Sequence, residues 1–245
     1  AAAMSLEDLG QYAIAVRVAA IVGLLVTAFQ AAIAPLVYAY HEEPPTAAAL
    51  ARLARLYAGG GVAVIAGLAW LGPEIVDLFV GGRYTAAVAV VPIVAAVPLL
   101  AGFSNFGPGL AISRSTRRMG LIAILGAVVT TTLNFTLVPR LGIVAAAWSS
   151  VIGTGFAAVL TVTQAQSRYR VPWDVVPLAG AACVAAAIGL IVPTMFASLT
   201  TGIVPRTILF IGALLLVVVV GAVKRQDIRD VRTRVAHRLS AGPGA

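Results

Sequence analysis

The segment "SRSTRR", residues 113–118, decides how this chain is organised, because it places three arginines between two strongly apolar stretches. Charged residues make up only 11% of the 245 residues, whereas 60% are hydrophobic. Soluble domains contain about 25% charged residues, so this composition is typical of a membrane protein. The apolar stretches on either side, 86–112 and 119–138, are each long enough to cross a bilayer, which takes about 20 residues.

Further apolar runs appear in both directions from this segment, and glycine, proline or charged residues separate them, as expected at helix ends. The sequence predicts an all-α, polytopic membrane helix bundle with about seven transmembrane helices in a membrane domain, 1–223, followed by a basic tail, 224–245. The predicted helices are 9–40, 47–72, 86–112, 119–138, 143–166, 175–197 and 206–223.

The basic residues are distributed unequally between the two sides that these helices define. Thirteen of the seventeen lysines and arginines fall on the side of "SRSTRR" and the tail, three fall on the other side, and Arg17 lies inside the first run. Cytoplasmic segments carry the excess of basic residues, so "SRSTRR" and the C-terminus are predicted to be cytoplasmic. The tail also has an apolar stripe between its arginines, which predicts an amphipathic helix on anionic membrane lipids.

The net charge of +8 would suggest nucleic acid binding in a soluble protein, but here membrane topology explains it, and no nucleic acid partner is predicted. An odd number of helices with a cytoplasmic C-terminus places the N-terminus outside. We therefore expect that an N-terminal lobe with an odd number of helices precedes this chain and is its partner.

Three segments carry a resemblance to a known family. They are "GQYAIAVRVA" (10–19), "FVGGRYTAAVAVVPIVA" (79–95) and "LNFTLVPRLGIVAAAWSS" (133–150). The chain resembles the C-terminal half of the oligosaccharide (polysaccharide) flippases, which belong to the MATE-like superfamily together with multidrug exporters and lipid II flippases. The resemblance implies the C-terminal lobe of a 14-helix transporter in the bacterial cytoplasmic (inner) membrane. It also implies export of a polyprenyl-diphosphate-linked oligosaccharide for cell-surface polysaccharide or lipopolysaccharide biosynthesis.

Two alternatives stay open at this point. One is a cation-coupled multidrug exporter of the same superfamily, whose cavity favours acidic and aromatic residues. The other is a membrane enzyme of polysaccharide assembly, which needs paired carboxylates and a metal at a membrane face. The sequence predicts neither an enzyme nor a cofactor, since it has two histidines, one cysteine and no phosphate-binding Gly-Lys motif.

Arg17 is the first candidate for substrate binding, because a charge inside an apolar run costs about 2.5–3.5 kcal/mol at a helix centre and requires a cavity or a partner. Its guanidinium suits a diphosphate, and the alternatives are an arginine that reaches the outer interface or one that pairs with a residue of the preceding lobe. Arg114, Arg117 and Arg118 are candidates for receiving the lipid diphosphate, with a purely topological role as the alternative.

Gln30 and Asn105 are candidates for hydrogen bonds to sugar hydroxyls, although hydrogen bonds between helices are the commoner use of such residues. The motif "GPG", Gly107, Pro108 and Gly109, interrupts a long apolar run beside Asn105. Interrupted helices at membrane depth line sites and joints in transporters. The sequence therefore predicts a hinge at these three residues, with a simple kink as the alternative.

Overall fold

The computed structural model describes residues 5–80 and 85–172, and this part of the chain is all-α, with no β-strand among the described residues. The helices are α1 (Leu6–Tyr40), α2 (Pro44–Val80), α3 (Thr85–Phe103), α4 (Gly109–Ile112) and α5 (Thr116–Gln166), with a 3-10 turn at Ser104–Phe106. Four of these helices are long and apolar enough to cross a membrane. The predicted helices 175–197 and 206–223 and the tail 224–245 lie outside the described residues, so the count of seven stays a prediction.

A capping box sets the start of α1. The Ser5 hydroxyl accepts a hydrogen bond from the Asp8 backbone N–H at 3.0 Å, and the Asp8 carboxylate accepts one from the Ser5 N–H at 3.1 Å. These two bonds satisfy donors that the first turn of a helix leaves unpaired. The helix therefore begins at Leu6, three residues before the predicted start, and it ends at Tyr40 as predicted.

The second helix is longer than predicted. It runs through Pro73 to Val80, eight residues beyond the predicted end at 72, so Glu74 and Asp77 lie in its last two turns. Proline normally ends or kinks a helix because it lacks an N–H and its ring crowds the preceding turn. Here Val76 is buried in the main core, and this packing favours continuing the helix past the proline.

The predicted helix 86–112 is divided into two. Pro92 and Pro98 remain inside α3, but the chain leaves α3 at Phe103, passes through the 3-10 turn and starts α4 after Pro108. Gly107 has φ −106° and ψ 71°, which is outside the helical region. The interruption that the "GPG" motif predicts is therefore present in the backbone.

The helix α5 consists of two arms that meet at Gly142. This residue has φ 63° and ψ −144°, a conformation that only glycine adopts readily, and it replaces the loop expected between 138 and 143. The arms contain 26 and 24 residues, so each is about 36–39 Å long and can span a hydrocarbon core of about 30 Å.

The two arms pack against each other as an antiparallel hairpin. A Cβ atom on Gly126 would lie 2.9 Å from the Ala157 Cβ, and one on Gly153 would lie 2.8 Å from the Gly126 carbonyl oxygen and would also collide with the Thr130 hydroxyl. These contacts are symmetric about Gly142. Small residues let the two backbones approach this closely, which is the usual basis of helix association in membranes.

The central helix of the described bundle is α3, which packs against α1, α2 and the second arm of α5. Gly23 lies beside Pro98, and Gly61 and Gly72 lie beside Leu99 and Val88, so α1 runs parallel to α3 and α2 runs antiparallel to it. The core is built from small and β-branched residues on these faces. It includes Ala15, Val18, Ala19, Val22, Val26, Val76, Val90, Val91, Val94, Ala95, Ile143 and Ala147.

This arrangement brings three segments to one end of the bundle, here called the basic end: the connection 41–43, residues 104–115 and residues 167–172. Most described arginines lie at or near this end: Arg52, Arg55, Arg114, Arg117, Arg118, Arg168 and Arg170. Arg140 lies at the opposite end, beside Gly142. The grouping of basic segments that the sequence predicts therefore corresponds to one end of the described bundle.

Candidate functional site

A small pocket of about 90 Å³ lies at the basic end, between the last turns of α1 and the interrupted segment after α3. Gln30 and Asn105, which the sequence singles out separately, both line it. Gly107 and Pro108 of the predicted hinge line it as well. The structure therefore brings four of the candidate residues together in one place.

The polar groups of the pocket are only partly used by the protein itself. The Asn105 amide donates to the Gly102 carbonyl at 3.1 Å, and the Ser104 hydroxyl donates to the Ala101 carbonyl at 2.6 Å. Within the described residues, the Gln30 amide makes no hydrogen bond and the Asn105 Oδ1 accepts none. An amide with free donors and acceptors can bind a hydroxylated ligand.

Aromatic rings fix the wall of the pocket. Phe106 is only 2% exposed and packs against Phe29, Tyr57 and Phe103, with ring centroids 5.2–6.0 Å apart. The Tyr57 hydroxyl donates to the Leu99 carbonyl at 3.0 Å. Because these rings tie α1, α2 and the 3-10 turn together, Ser104 and Asn105 are held on a rigid support.

The glycines of the interrupted segment pack directly against the second arm of α5. A Cβ on Gly107 would lie 3.1 Å from the Ala165 Cβ, and a Cβ on Gly109 would collide with the Ala165 carbonyl oxygen. Both glycines are therefore required for close packing, whether or not the segment moves. Their role as a hinge stays a prediction, and alanine at position 109 tests packing as well as motion.

Arg114 adopts a left-handed conformation, with φ 51°, in the turn between α4 and α5. Its N–H binds the Ala111 carbonyl and the Ser115 N–H binds the Leu110 carbonyl, both at 3.0 Å, which is the bonding pattern of a Schellman motif. Glycine usually occupies this position, and a residue with a Cβ costs about 1–2 kcal/mol there. The chain thus keeps an arginine where glycine is conformationally preferred.

The three candidate arginines form a cationic rim around the start of α5. Arg114, Arg117 and Arg118 are all exposed, and Met119, the next residue, lines the pocket. The N-terminus of α5 adds the positive end of the helix dipole. An anion bound to this rim would lie next to the polar pocket.

Arg17 does not belong to this pocket. It precedes Gln30 by 13 residues on α1, a separation of about 20 Å along the helix. Its side chain is exposed on the face of α1 that points away from the bundle, among Ala13, Ala20, Ile21 and Leu24. Within the described part of the chain it makes no ion pair.

The sequence reading missed Tyr38 and Phe29, which line the same pocket. Phe29 directly precedes Gln30 in α1, and Tyr38 follows Gln30 by eight residues, about two turns. An aromatic residue near a polar one in an apolar run is the signal that points to them. Near the pocket, partial burial raises the pKa of Tyr169, because desolvation disfavours the phenolate.

No group of three or more His, Cys, Asp or Glu side chains that could hold a metal ion occurs in residues 5–80 and 85–172. Comparison with known proteins adds no relative, since no family model, curated protein or solved structure matches the chain.

Proposed function

We propose that this chain is one lobe of a transporter that flips polyprenyl-diphosphate-linked oligosaccharide across the bacterial cytoplasmic membrane, by alternating access of two lobes. The observation that supports this proposal best is the polar pocket of Gln30 and Asn105 beside the rim of Arg114, Arg117 and Arg118. Transport of this substrate serves the assembly of cell-surface polysaccharide. It requires no catalytic residue and no cofactor.

The chemistry of the site matches the three parts of such a substrate. Sugar hydroxyls pair with the amides of Gln30 and Asn105, and the ring faces contact Phe29 and Tyr38. The diphosphate pairs with the arginine rim, because guanidinium groups bind phosphate oxygens in a bidentate manner. The polyprenyl chain stays in the bilayer beside the apolar exterior of the bundle.

The orientation follows from the charge distribution. The basic end is assigned to the cytoplasmic side, where anionic lipids attract basic residues. A lipid-linked precursor made on that side then reaches the rim first. In this assignment the pocket is loaded from the cytoplasmic leaflet.

A double substitution tests the role of the rim. Arg117→Gln with Arg118→Gln removes two charges without enlarging the exposed apolar surface, and we expect flipping of a fluorescent polyprenyl-diphosphate oligosaccharide in proteoliposomes to slow about tenfold or more. Arg140→Gln is the matched control, because Arg140 is an exposed arginine at the far end of the same arm of α5. An equal rate for both variants would refute a substrate contact at the rim.

The orientation has its own test. In a Cys183→Ala background, single cysteines at Ser115 and Ser240 should resist membrane-impermeant thiol reagents added outside intact cells, and react after the cells are opened. Ser115 lies in the arginine-rich turn at the basic end. Ready labelling of either cysteine in intact cells would reverse the assigned orientation.

A further inference from the structure

An open apolar groove of about 690 Å³ runs between α2 and the second arm of α5, with α3 as its floor. The groove carries two hydroxyls, those of Tyr57 and Thr163, and both are already bonded to backbone carbonyls, Tyr57 to Leu99 at 3.0 Å and Thr163 to Val159 at 2.9 Å. The groove therefore offers its occupant apolar contact and no polar recognition. Its walls contain small residues, Ala58, Gly61, Gly155 and Ala158, which allow a helix backbone to approach closely.

The chain itself arrives at the mouth of this groove. After α5, the Gln166 side chain brackets Val171, since its Nε2 donates to the Val171 carbonyl and its Oε1 accepts from the Val171 N–H, both at 3.0 Å. Val171 is only 4% exposed and is buried in a cluster with Leu50 and Ala54 of α2. Tyr57, one turn further along α2, packs against this same cluster and lines the groove.

We infer that the groove is the docking site of residues 175–197 of this same chain. This segment follows Pro172 by three residues, a reach of at most about 10 Å, and it is the next run that the sequence predicts to span the membrane. It is also rich in small residues, including Ala179, Gly180, Ala182, Ala186 and Gly189. Small residues on both sides give the close contact on which helix pairs in membranes depend. The inference does not depend on what the protein transports.

The depth of contact can be derived from the helix geometry. A helix that starts at Val175 at the basic end and runs antiparallel to the second arm of α5 reaches Cys183 after eight residues, about 12 Å. The same distance from the Val171 cluster along α2 leads to the level of Ala58 and Val62. Cys183 is the only cysteine of the chain, so it can report on this contact directly.

The experiment uses the complete protein in native membranes, with any cysteine outside these 245 residues replaced by serine and Ala58→Cys introduced. We expect oxidation with copper–phenanthroline to join Cys183 to the new cysteine within one chain, because a disulfide needs Cα atoms closer than about 7 Å. Titration with a maleimide mass tag should then count two free thiols before oxidation and none after. Ala28→Cys is the matched control, since Ala28 is an exposed alanine of α1 at the same depth, facing away from the groove.

Moving the native thiol to neighbouring positions tests the different rotations that the docked helix can have about its own axis. In Cys183→Ala, cysteines at Ala182, Val184 or Ala185 complete, with the native position 183, all sides of one helical turn facing Ala58→Cys, and Val62→Cys repeats the series one turn deeper. A crosslink within one chain for at least one member supports the inference. Absence of a crosslink in the whole series overturns it, and so does a crosslink that forms only between two chains, which would assign the groove to a second copy.

Discussion

Arg17→Ala in the complete protein is expected to reduce export of surface polysaccharide by about tenfold or more, the loss that removal of one charged hydrogen bond produces. Arg17 projects from α1 among apolar neighbours, on the face that the described bundle leaves uncovered. A charge held at such a depth costs about 2.5–3.5 kcal/mol by insertion scales. A visiting anion or a group of the second lobe offsets this cost, and the flippase proposal assigns that position to the substrate diphosphate during its passage.

Further substitutions of Arg17 distinguish the contribution of its charge from that of its planar guanidinium. Arg17→Lys keeps the charge but loses the planar fork, so we expect an intermediate reduction. Arg17→Glu repels the anion and should be the most impaired of the three. Each variant should insert normally, because removing an arginine from a membrane helix does not hinder insertion.

The measurement is export by cells that carry each variant, normalised to the amount of protein in the membrane. Full export by Arg17→Ala would leave Arg17 as a residue that merely reaches the membrane interface. A loss with alanine that lysine does not partly restore would point to a steric role and not to an anion contact. The distance of about 20 Å between Arg17 and Gln30 means that this result is independent of the rim variants.

Gly153→Leu is expected to produce the largest loss of stability. Its side chain would occupy the space of the Thr130 hydroxyl and the Gly126 carbonyl, where even a Cβ does not fit. Overpacking of this kind costs about 1–3 kcal/mol and occasionally more, so the two arms of α5 must separate or shift. We expect the Tm of the purified protein in detergent to fall by about 5–10 °C.

Gly120→Leu is the matched control for this prediction. Gly120 lies in the first arm of the same helix, and a Cβ there meets nothing within 4 Å. Leucine favours the helix over glycine by about 0.8 kcal/mol of folding free energy. The control variant should therefore be as stable as the unchanged protein, or slightly more stable. If Gly153→Leu yields no folded protein, Gly153→Ala gives a milder clash at the same place. Equal Tm values for the variants at positions 120 and 153 would refute the close packing of the hairpin.

Hydropathy, together with the glycine, proline and charged residues between the apolar runs, was sufficient to predict the all-α membrane architecture. It also predicted most of the helix positions in the described residues. The errors have local causes. At Pro73 the proline signal for a helix end was outweighed by the burial of Val76, and at "PRLG" one glycine with a positive φ replaces a loop. Composition reveals neither outcome, because both depend on tertiary packing.

Individual residues of the candidate site were predictable from the sequence, but their proximity to one another was not. Gln30 and Asn105 belong to different helices, and only the parallel packing of α1 on α3 brings them into one pocket. Arg17 was identified from its depth alone. The direction in which it points was not predictable, because α1 is apolar on every face and has no amphipathic pattern to orient it.

The single-residue turn at Gly142 bears on how the protein is made. In the folded protein a turn of one residue joins the arms of α5, and the contacts of Gly126 and Gly153 hold them together as one closed unit. We expect the two arms to enter the bilayer as a helical hairpin, because neither arm has a connecting loop of its own on the far side. In the assigned orientation Arg140, two residues before the turn, has to be carried across the bilayer in that step. Insertion of this hairpin is therefore expected to be the step of biogenesis most sensitive to substitution of Gly142.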